Sequence, residues 1–533
     1  MNFEFLQLTE LRKLLDSKQV SSVELTKYFL GRIKKSDLNA FITVCEDEAL
    51  AQAKIADDYI SGPGENPFLC GIPYAAKDMF CTKGIRTTAA SKILDNYMPP
   101  YDATVIAKLK EQKAVLVGKT NQDQFAHGSS GETSAYGPAR NPWDKTRMPG
   151  GSSSGSGAAV AAGLSPWATA TETGGSIRVP ASFCGISGWK PTYGRVSRYG
   201  IVSMCSSTDS IGALANSVDD LARLAEITAG RDDKDSTTGH GEVPPYFKNL
   251  SANVKGLKIG IPKEYFVDGM EDGVRQRVME AIEEIKKLGA EIVEINLPNT
   301  KYGALVYAIV APSEISSNLA KYDGIRFGHV TKEAKDLMEV YTKSRAEGFG
   351  DEAKRRILTG TYVLSAGYYD AYYKKAQKVR SLIVNEFHKV FKQVDVLACP
   401  CAPSVAQKLG HAADDPLFGY ITDQLNIPGS LAGLPALAVP CGFARPAVSP
   451  LFSKEGARGS SDSVDTPSVN PHPSRQTGHP LPEGEGNIVG VPPSLGLPVG
   501  LQIIGPQWGE QKIFNVGYAY QQATEWHLKH PSL

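Results

Sequence analysis

Long apolar runs are missing from this sequence. No stretch approaches the ~18 consecutive apolar residues that a membrane-spanning helix needs, so no membrane partner is expected. Excess charge is missing too: 57 basic and 57 acidic side chains cancel over 533 residues. A protein that holds nucleic acid by itself carries a basic face, and the balance here argues against one. The eight cysteines (Cys45, Cys70, Cys81, Cys184, Cys205, Cys399, Cys401 and Cys441) include no C-x-x-C pair and no zinc spacing, so a disulfide scaffold and a metal site are not expected. Buried, reduced thiols in a cytoplasmic enzyme are. The first residues show no basic region followed by an apolar core, so no secretory leader is expected.

Two nucleotide motifs fail on inspection. Gly155-Ser156-Gly157 opens a dinucleotide fingerprint, but Val160 stands where its third glycine belongs. Gly118-Lys119-Thr120 has the tail of a phosphate-binding loop, but Lys113 occupies the position of its first glycine.

What the chain does have is one stretch dominated by Gly, Ser, Ala and Thr, from Met148 to Pro180. Two Gly/Ser-rich turns flank a small-residue helix. Such residues let backbone approach backbone, or a ligand, closely. The stretch holds many hydroxyls and free N–H groups but neither His nor Cys. A nucleophile here is therefore a serine whose base is not a nearby histidine. Gly151-Ser-Ser153-Ser-Gly155 fits the nucleophile elbow G-x-S-x-G. That reading makes Ser153 the nucleophile, with a distant base such as His388.

A second arrangement uses more of the chain. Ser152 and Ser176 both sit in Gly-Gly-Ser contexts, and Gly71-Ile-Pro-Tyr-Ala-Ala-Lys77-Asp78 places a lysine at the end of an apolar, strand-like run. Burial disfavours the charged form of a lysine. A neutral Lys77 can then act as general base, with a serine relaying the proton to it.

The combination Gly-Ile-Pro-x-x-x-Lys77-Asp, Pro149-Gly-Gly-Ser152-Ser-x-Gly-Ser and Thr173-Gly-Gly-Ser176-Ile-Arg-x-Pro resembles the amidase signature family. The resemblance implies a Ser–cis-Ser–Lys triad: Ser176 as nucleophile, Ser152 as bridging serine on a cis peptide, Lys77 as base. It also implies an oxyanion hole in the turn Thr173, Gly174, Gly175 and Ser176. Ser154 and Glu172 replace the family's usual Gly and Asp. In Gln122–Ser134, which borders the family's active site, Gln124 and His127 replace the usual Glu and Met. Ala213 and Asn216 replace Pro and Arg in what is expected to be the next turn.

Stretches far from the triad, such as Lys321-Tyr-Asp-Gly-Ile-Arg, Ser344-Arg-Ala-Glu-Gly-Phe-Gly and Lys354-Arg-Arg356-Ile-Leu-Thr-Gly, are similar to one branch of that family. Its members are the glutamine-hydrolysing A subunits of aspartyl/glutamyl-tRNA amidotransferases. The branch resemblance implies that Tyr307, Arg356 and Asp423 hold glutamine. It implies partner subunits B and C, and a misacylated tRNA reached through the complex. The chain itself is expected to carry no cofactor, with ATP and magnesium used by the complex. Stand-alone hydrolysis of small or aryl amides, and a scaffold without chemistry, are the competing expectations.

The fold class expected is α/β: a mixed β-sheet covered by helices on both faces. Residues 1–60 read as a helical cover, with Ser21 and Glu24 forming a capping box. Short strands are expected at Ile72–Ala76, Ala114–Val117, Trp167–Thr171, Gly256–Pro262, Glu291–Glu294, Val394–Ala398, Ala436–Val439 and Val499–Ile504. Residues 302–390 read as largely helical, with a tyrosine-rich run at Tyr368–Tyr373 that suits either a core or an interface. The whole is expected to be a single domain, 1–533. Residues 444–495 are rich in Ser, Pro and Gly with few aliphatics, and are expected to be a disordered insertion.

Overall fold

The computed structural model describes residues 2–411, 422–446 and 496–532. Eleven strands form one sheet: β1 (Phe41–Val44), β2 (Pro73–Lys77), β3 (Val115–Thr120), β4 (Trp167–Glu172), β5 (Ser187–Lys190), β6 (Ser210–Ala215), β7 (Lys258–Pro262), β8 (Glu291–Ile295), β9 (Val396–Pro400), β10 (Ala436–Ala444) and β11 (Leu497–Ile504). Their order across the sheet is β1-β3-β2-β4-β6-β5-β10-β11-β9-β7-β8. β2 runs parallel to β3 and β4, and β7 runs parallel to β8 and β9. The remaining neighbours are antiparallel. The sheet is therefore mixed, as expected.

Side chains alternate across a strand, and here each alternate set reaches its own core. Tyr74, Ala76, Leu116 and Trp167 enter the larger apolar cluster. Ala75, Val115, Val117 and Ala168 enter a second cluster on the opposite face, together with Ala158–Ala162. Strands buried on both faces lose the apolar/polar alternation of a half-exposed sheet.

The helix Ser154–Ala161 explains the small-residue stretch. A Cβ added to Gly155 would lie 2.3 Å from the Ala40 carbonyl oxygen and 2.5 Å from the Asn121 nitrogen. Only glycine lets this helix lie against the backbone that leaves β3. Ser154, where a glycine was expected, fits because Gly131 faces it: a Cβ on Gly131 would meet the Ser154 Cβ at 2.6 Å. Gly131 also has φ +87°, a left-handed conformation that favours glycine.

The N-terminal capping box forms as expected, with Glu24 N donating to Ser21 Oγ at 3.1 Å and Ser21 N to Glu24 Oε2 at 2.9 Å. The reading of residues 1–60 as helical needs one correction. Phe41-Ile-Thr-Val44 is strand β1, paired with β3. An aromatic and three β-branched residues favour a strand, and the edge of β3 was available to pair. Gly118, Lys119 and Thr120 form the end of β3 rather than a phosphate loop. There the buried Lys119 Nζ lies 3.5 Å from Asp78 Oδ1 and donates to Phe80 O and Thr87 Oγ1 at 2.7 Å each. Ala213 lies inside β6, not in a turn.

Tyr369–Lys374 is a π-helical turn whose tyrosines stack outside the core, Tyr369 on Tyr373 at 5.3 Å between ring centroids. Tyr368, Tyr369 and Tyr372 are about 40% exposed (40%, 39% and 43%), which rules out the core reading for this run. All eight cysteines are free and buried. Among the described residues no helix is long and apolar enough to cross a membrane. β10 and β11 pair from Ala436↔Ile504 to Ala444↔Leu497. Of the expected insertion at 444–495, residues 447–495 lie outside the described residues.

Candidate active site

β2 ends at Lys77 between β3 and β4. The Lys77 side chain is completely buried. Its Nζ lies 2.8 Å from Ser152 Oγ, 2.8 Å from Thr171 Oγ1, 3.0 Å from Ser153 Oγ and 3.4 Å from the Thr171 carbonyl oxygen. No carboxylate is among these partners. Burial pushes the ammonium pKa down to about 7, against the more distant pull of Asp123, Asp209 and Glu172. A lysine that is half neutral at neutral pH can accept a proton.

Ser152 follows a cis peptide bond, Gly151–Ser152, the geometry the resemblance implied. Gly151 is required at that bond: a Cβ there would lie 2.1 Å from Asp123 Oδ2. Asp123 in turn accepts from Gly131 N at 3.0 Å, Thr133 N at 3.2 Å and Thr133 Oγ1 at 3.0 Å. Two backbone bonds, Asp123 N to Ser152 O at 3.3 Å and Gly151 N to Ser129 O at 2.7 Å, tie the Gly150–Ser152 turn to the loop Gln122–Ser134.

The second turn, Thr173–Ser176, is closed from below by Glu172. Its carboxylate accepts from Ile177 N at 3.0 Å, Arg178 N at 3.2 Å and Arg178 Nε at 2.9 Å, and both charged side chains are fully buried. Glutamate in place of the expected aspartate therefore supports this turn directly. Arg178 continues the network to Gln502 Oε1 at 2.6 Å and to the Asn426 carbonyl at 2.9 Å. Asp209 accepts from Thr173 Oγ1 at 2.7 Å. The backbone N–H groups of Gly174, Gly175 and Ser176 find no acceptor among the described residues. Three consecutive free donors form a nest for a developing anion. The turn touches the first one through Ser153 N, which donates to Ser176 O at 3.3 Å.

Above this turn lies a cavity of about 580 Å³. Ser176, Gly174 and Gly175 line its floor, and Tyr307, Arg356 and Asp423 line its walls, with His127 and Glu352. Ser176 and Asp423, 247 positions apart, thus share one chamber. Arg356 Nε donates to Glu352 Oε1 at 2.6 Å, which fixes the guanidinium while leaving its other donors to the cavity. Burial raises the Asp423 carboxyl to about 7, Glu172 and Asp123 add to the rise, and Arg356 opposes it. The Gly174 Cα hydrogen faces the Tyr307 ring, since a Cβ there would come within 3.4 Å of Cζ.

The elbow alternative is not supported by the geometry. Ser153 is fully buried, donates to Thr171 O at 3.2 Å and does not line the cavity. Its suggested base, His388, sits exposed on the helix Lys375–Val390, at a different surface depression. Sequence reasoning missed Thr171, Asp123 and Asp209. The first had a signal: Thr169 and Thr171 alternate with alanines on β4, and Thr169 Oγ1 accepts from Lys77 N at 3.1 Å, so one strand face carries both threonines to Lys77.

Comparison with known proteins agrees with this geometry. Residues 24–514 match the family model described as Amidase. The chain is 48% identical over 526 residues to the A subunit of the glutamyl-tRNA(Gln) amidotransferase of Methylobacillus flagellatus, covering 98% of each chain. It is 49% identical over 526 residues to the protein of the same name in Geobacter metallireducens, again covering 98% of each. Among solved structures it resembles the A subunit of the glutamyl-tRNA(Gln) amidotransferase of Thermotoga maritima, with TM-score 0.74, 38% identity and coverage of 98% and 95%. It also resembles a peptide amidase from Stenotrophomonas maltophilia, with TM-score 0.76, 28% identity and coverage of 97% of each chain.

Proposed function

The chain belongs to the amidase family, and from that premise we propose that it is the glutamine-hydrolysing A subunit of a glutamyl-tRNA(Gln) amidotransferase. The observation that carries this reading is the shared chamber: the Ser176 turn with its free N–H groups on the floor, and Tyr307, Arg356 and Asp423 on the walls. A guanidinium and a carboxylate in one cavity suit the two charged ends of an amino acid. Arg356 pairs with the α-carboxylate in a forked geometry, and Asp423 with the α-ammonium.

In the reaction, Ser176 Oγ attacks the side-chain carboxamide carbon of glutamine. Its proton passes to Ser152, whose own proton passes to neutral Lys77. The N–H groups of the turn Thr173–Ser176, foremost Gly174, Gly175 and Ser176, hold the oxyanion. One such donor is typically worth ~3 kcal/mol. The Lys77 ammonium returns its proton through Ser152 to the departing nitrogen, and ammonia leaves. Water then cleaves the glutamyl ester on Ser176, releasing glutamate. The ammonia serves partner subunits B and C, which use ATP and magnesium to convert Glu-tRNA(Gln), and Asp-tRNA(Asn) where that is supplied, in the cytoplasm.

The test is ammonia release from glutamine and from propionamide, with and without subunits B and C and misacylated tRNA. Glutamine-selective release, raised by partners, is expected. Release from propionamide alone, independent of partners, would make the chain a stand-alone amidase. No release from either would leave a scaffold.

A further inference from the structure

His127 occupies the wall of the chamber and is completely buried. Neither ring nitrogen has a hydrogen-bond partner among the described residues. Its backbone, by contrast, is held: His127 N donates to Gln124 O at 2.8 Å, and Thr133 Oγ1 donates to His127 O at 3.2 Å. The preceding residues Phe125 and Ala126 both have left-handed φ, 51° and 61°, so the loop aims the ring at the cavity through an unusual backbone path. Buried imidazoles in folded proteins almost always find at least one partner. A neutral ring offers one donor and one acceptor, and here both are spare beside a chamber shaped for a ligand.

The charges that act on the ring are those of Arg356 and Arg355. Burial first, then these two guanidinium groups, hold the imidazole well below its ordinary pKa, so it is neutral at physiological pH. Arg355 is occupied by Glu352, at 2.7 Å through both Nε and Nη2. Arg356 faces the chamber. The ring therefore stands on the side of the chamber where a substrate anion would sit, and it can add a donor there without adding a second full charge.

Resting on the glutaminase reading above, we propose that His127 is a substrate-contacting specificity residue, donating a ring N–H to the α-carboxylate that Arg356 also grips. It selects amides that carry a carboxylate over amides that do not.

Steady-state ammonia release by the full chain with its partner subunits tests this. The probes are glutamine and 4-aminobutanamide, which is glutamine without its carboxylate. H127M keeps the side-chain volume and removes the donor. It is expected to raise KM for glutamine about tenfold or more, the scale of one hydrogen bond to a charged group, with kcat nearly unchanged and 4-aminobutanamide unaffected. H127Q keeps an N–H at similar reach and is expected to restore most of the KM. Both variants are expected to melt close to wild type. An unchanged glutamine KM in H127M, or an equal rise for both substrates, would overturn the proposal, as would H127Q behaving like H127M. If H127M does not fold, H127Q with wild-type discrimination supports the proposal and H127Q without it overturns it. The wild-type arm separates the two claims: failure to hydrolyse glutamine there overturns the glutaminase reading, and with it this one.

Discussion

Lys77 Nζ lies 2.8 Å from Ser152 Oγ, with both side chains wholly sealed from solvent. Among the described residues no carboxylate hydrogen-bonds to this lysine; its hydrogen-bond partners are hydroxyls and one carbonyl. Burial outweighs the pull of the more distant carboxylates and leaves a base matched to neutral pH, and its removal should be felt in kcat. Lys77→Ala and Ser152→Ala are expected to lower glutamine turnover by about 10²–10⁴-fold. Ser153→Ala, which touches the same Nζ from outside the cavity, is expected to lose far less. Stopped ammonia assays on the three variants, each checked by thermal melting, decide this.

The pH profile follows from the same burial. The folded pKa of Lys77 is depressed to about 7, so the neutral, proton-accepting fraction grows as pH rises through that value. kcat is expected to climb from pH 6 to pH 8 along a single-proton curve with its midpoint at about 7, and then to level off. A rate that is flat over this range would remove Lys77 from the proton path.

Asp423 gives a separate signature in KM. Burial raises its carboxyl to about 7, so acidification neutralises the group that would hold the α-ammonium. The KM for glutamine is expected to rise as pH falls below that value. The KM for glutaramate, which lacks the amine, is expected not to follow it. Measuring both substrates at each pH distinguishes loss of this contact from general acid damage.

The Glu172–Arg178 pair supports the nucleophile turn from a fully buried position. Glu172→Gln leaves the guanidinium without its counter-charge, and breaking a buried pair in this way typically costs about 3–5 kcal/mol. Chemical denaturation is expected to show a loss of that order. Arg178 remains bonded to Asn426 O and Ser430 Oγ, at 2.9 and 3.0 Å, so the protein is expected still to fold in the cold.

Gln124 links two walls of the chamber. Its amide donates to Ser91 Oγ at 2.8 Å, and Gly350 N donates to its Oε1 at 2.9 Å. Gly350 precedes the helix Asp351–Leu364 that carries Arg356. Gln124→Ala removes both hydrogen bonds, a loss of about 1–3 kcal/mol. It is expected to raise KM for glutamine more than it lowers kcat, because the binding wall shifts while the triad does not.

The residues of the site were more legible in the sequence than the frame around them. Lys77, Ser152 and Ser176 sit in contiguous motifs, and the capping box at Ser21 is a local code read over four residues. β1, β5 and β6 were not assigned. Ser187-Gly-Trp-Lys190 and Ser210-Ile-Gly-Ala-Leu-Ala215 are short and rich in small residues, and they become strands because β4, β10 and each other offer ladders to them. Pairing of that kind is set by tertiary context rather than local preference. The role of Gln124 was hidden for the same reason, since its partners lie 33 and 226 residues away. His127 stood out as a departure from the family pattern, but only the structure places both of its nitrogens, unpartnered, at the chamber wall.

In the proposed mechanism Ser176 carries the acyl group. The most direct test is mass spectrometry of the chain, acid-quenched during glutamine turnover with partner subunits and tRNA present. The expected result is a glutamyl ester on the peptide that contains Ser176, absent in Ser176→Ala. Ammonia release with the ester on Ser153, or with no ester at any serine, would contradict the account.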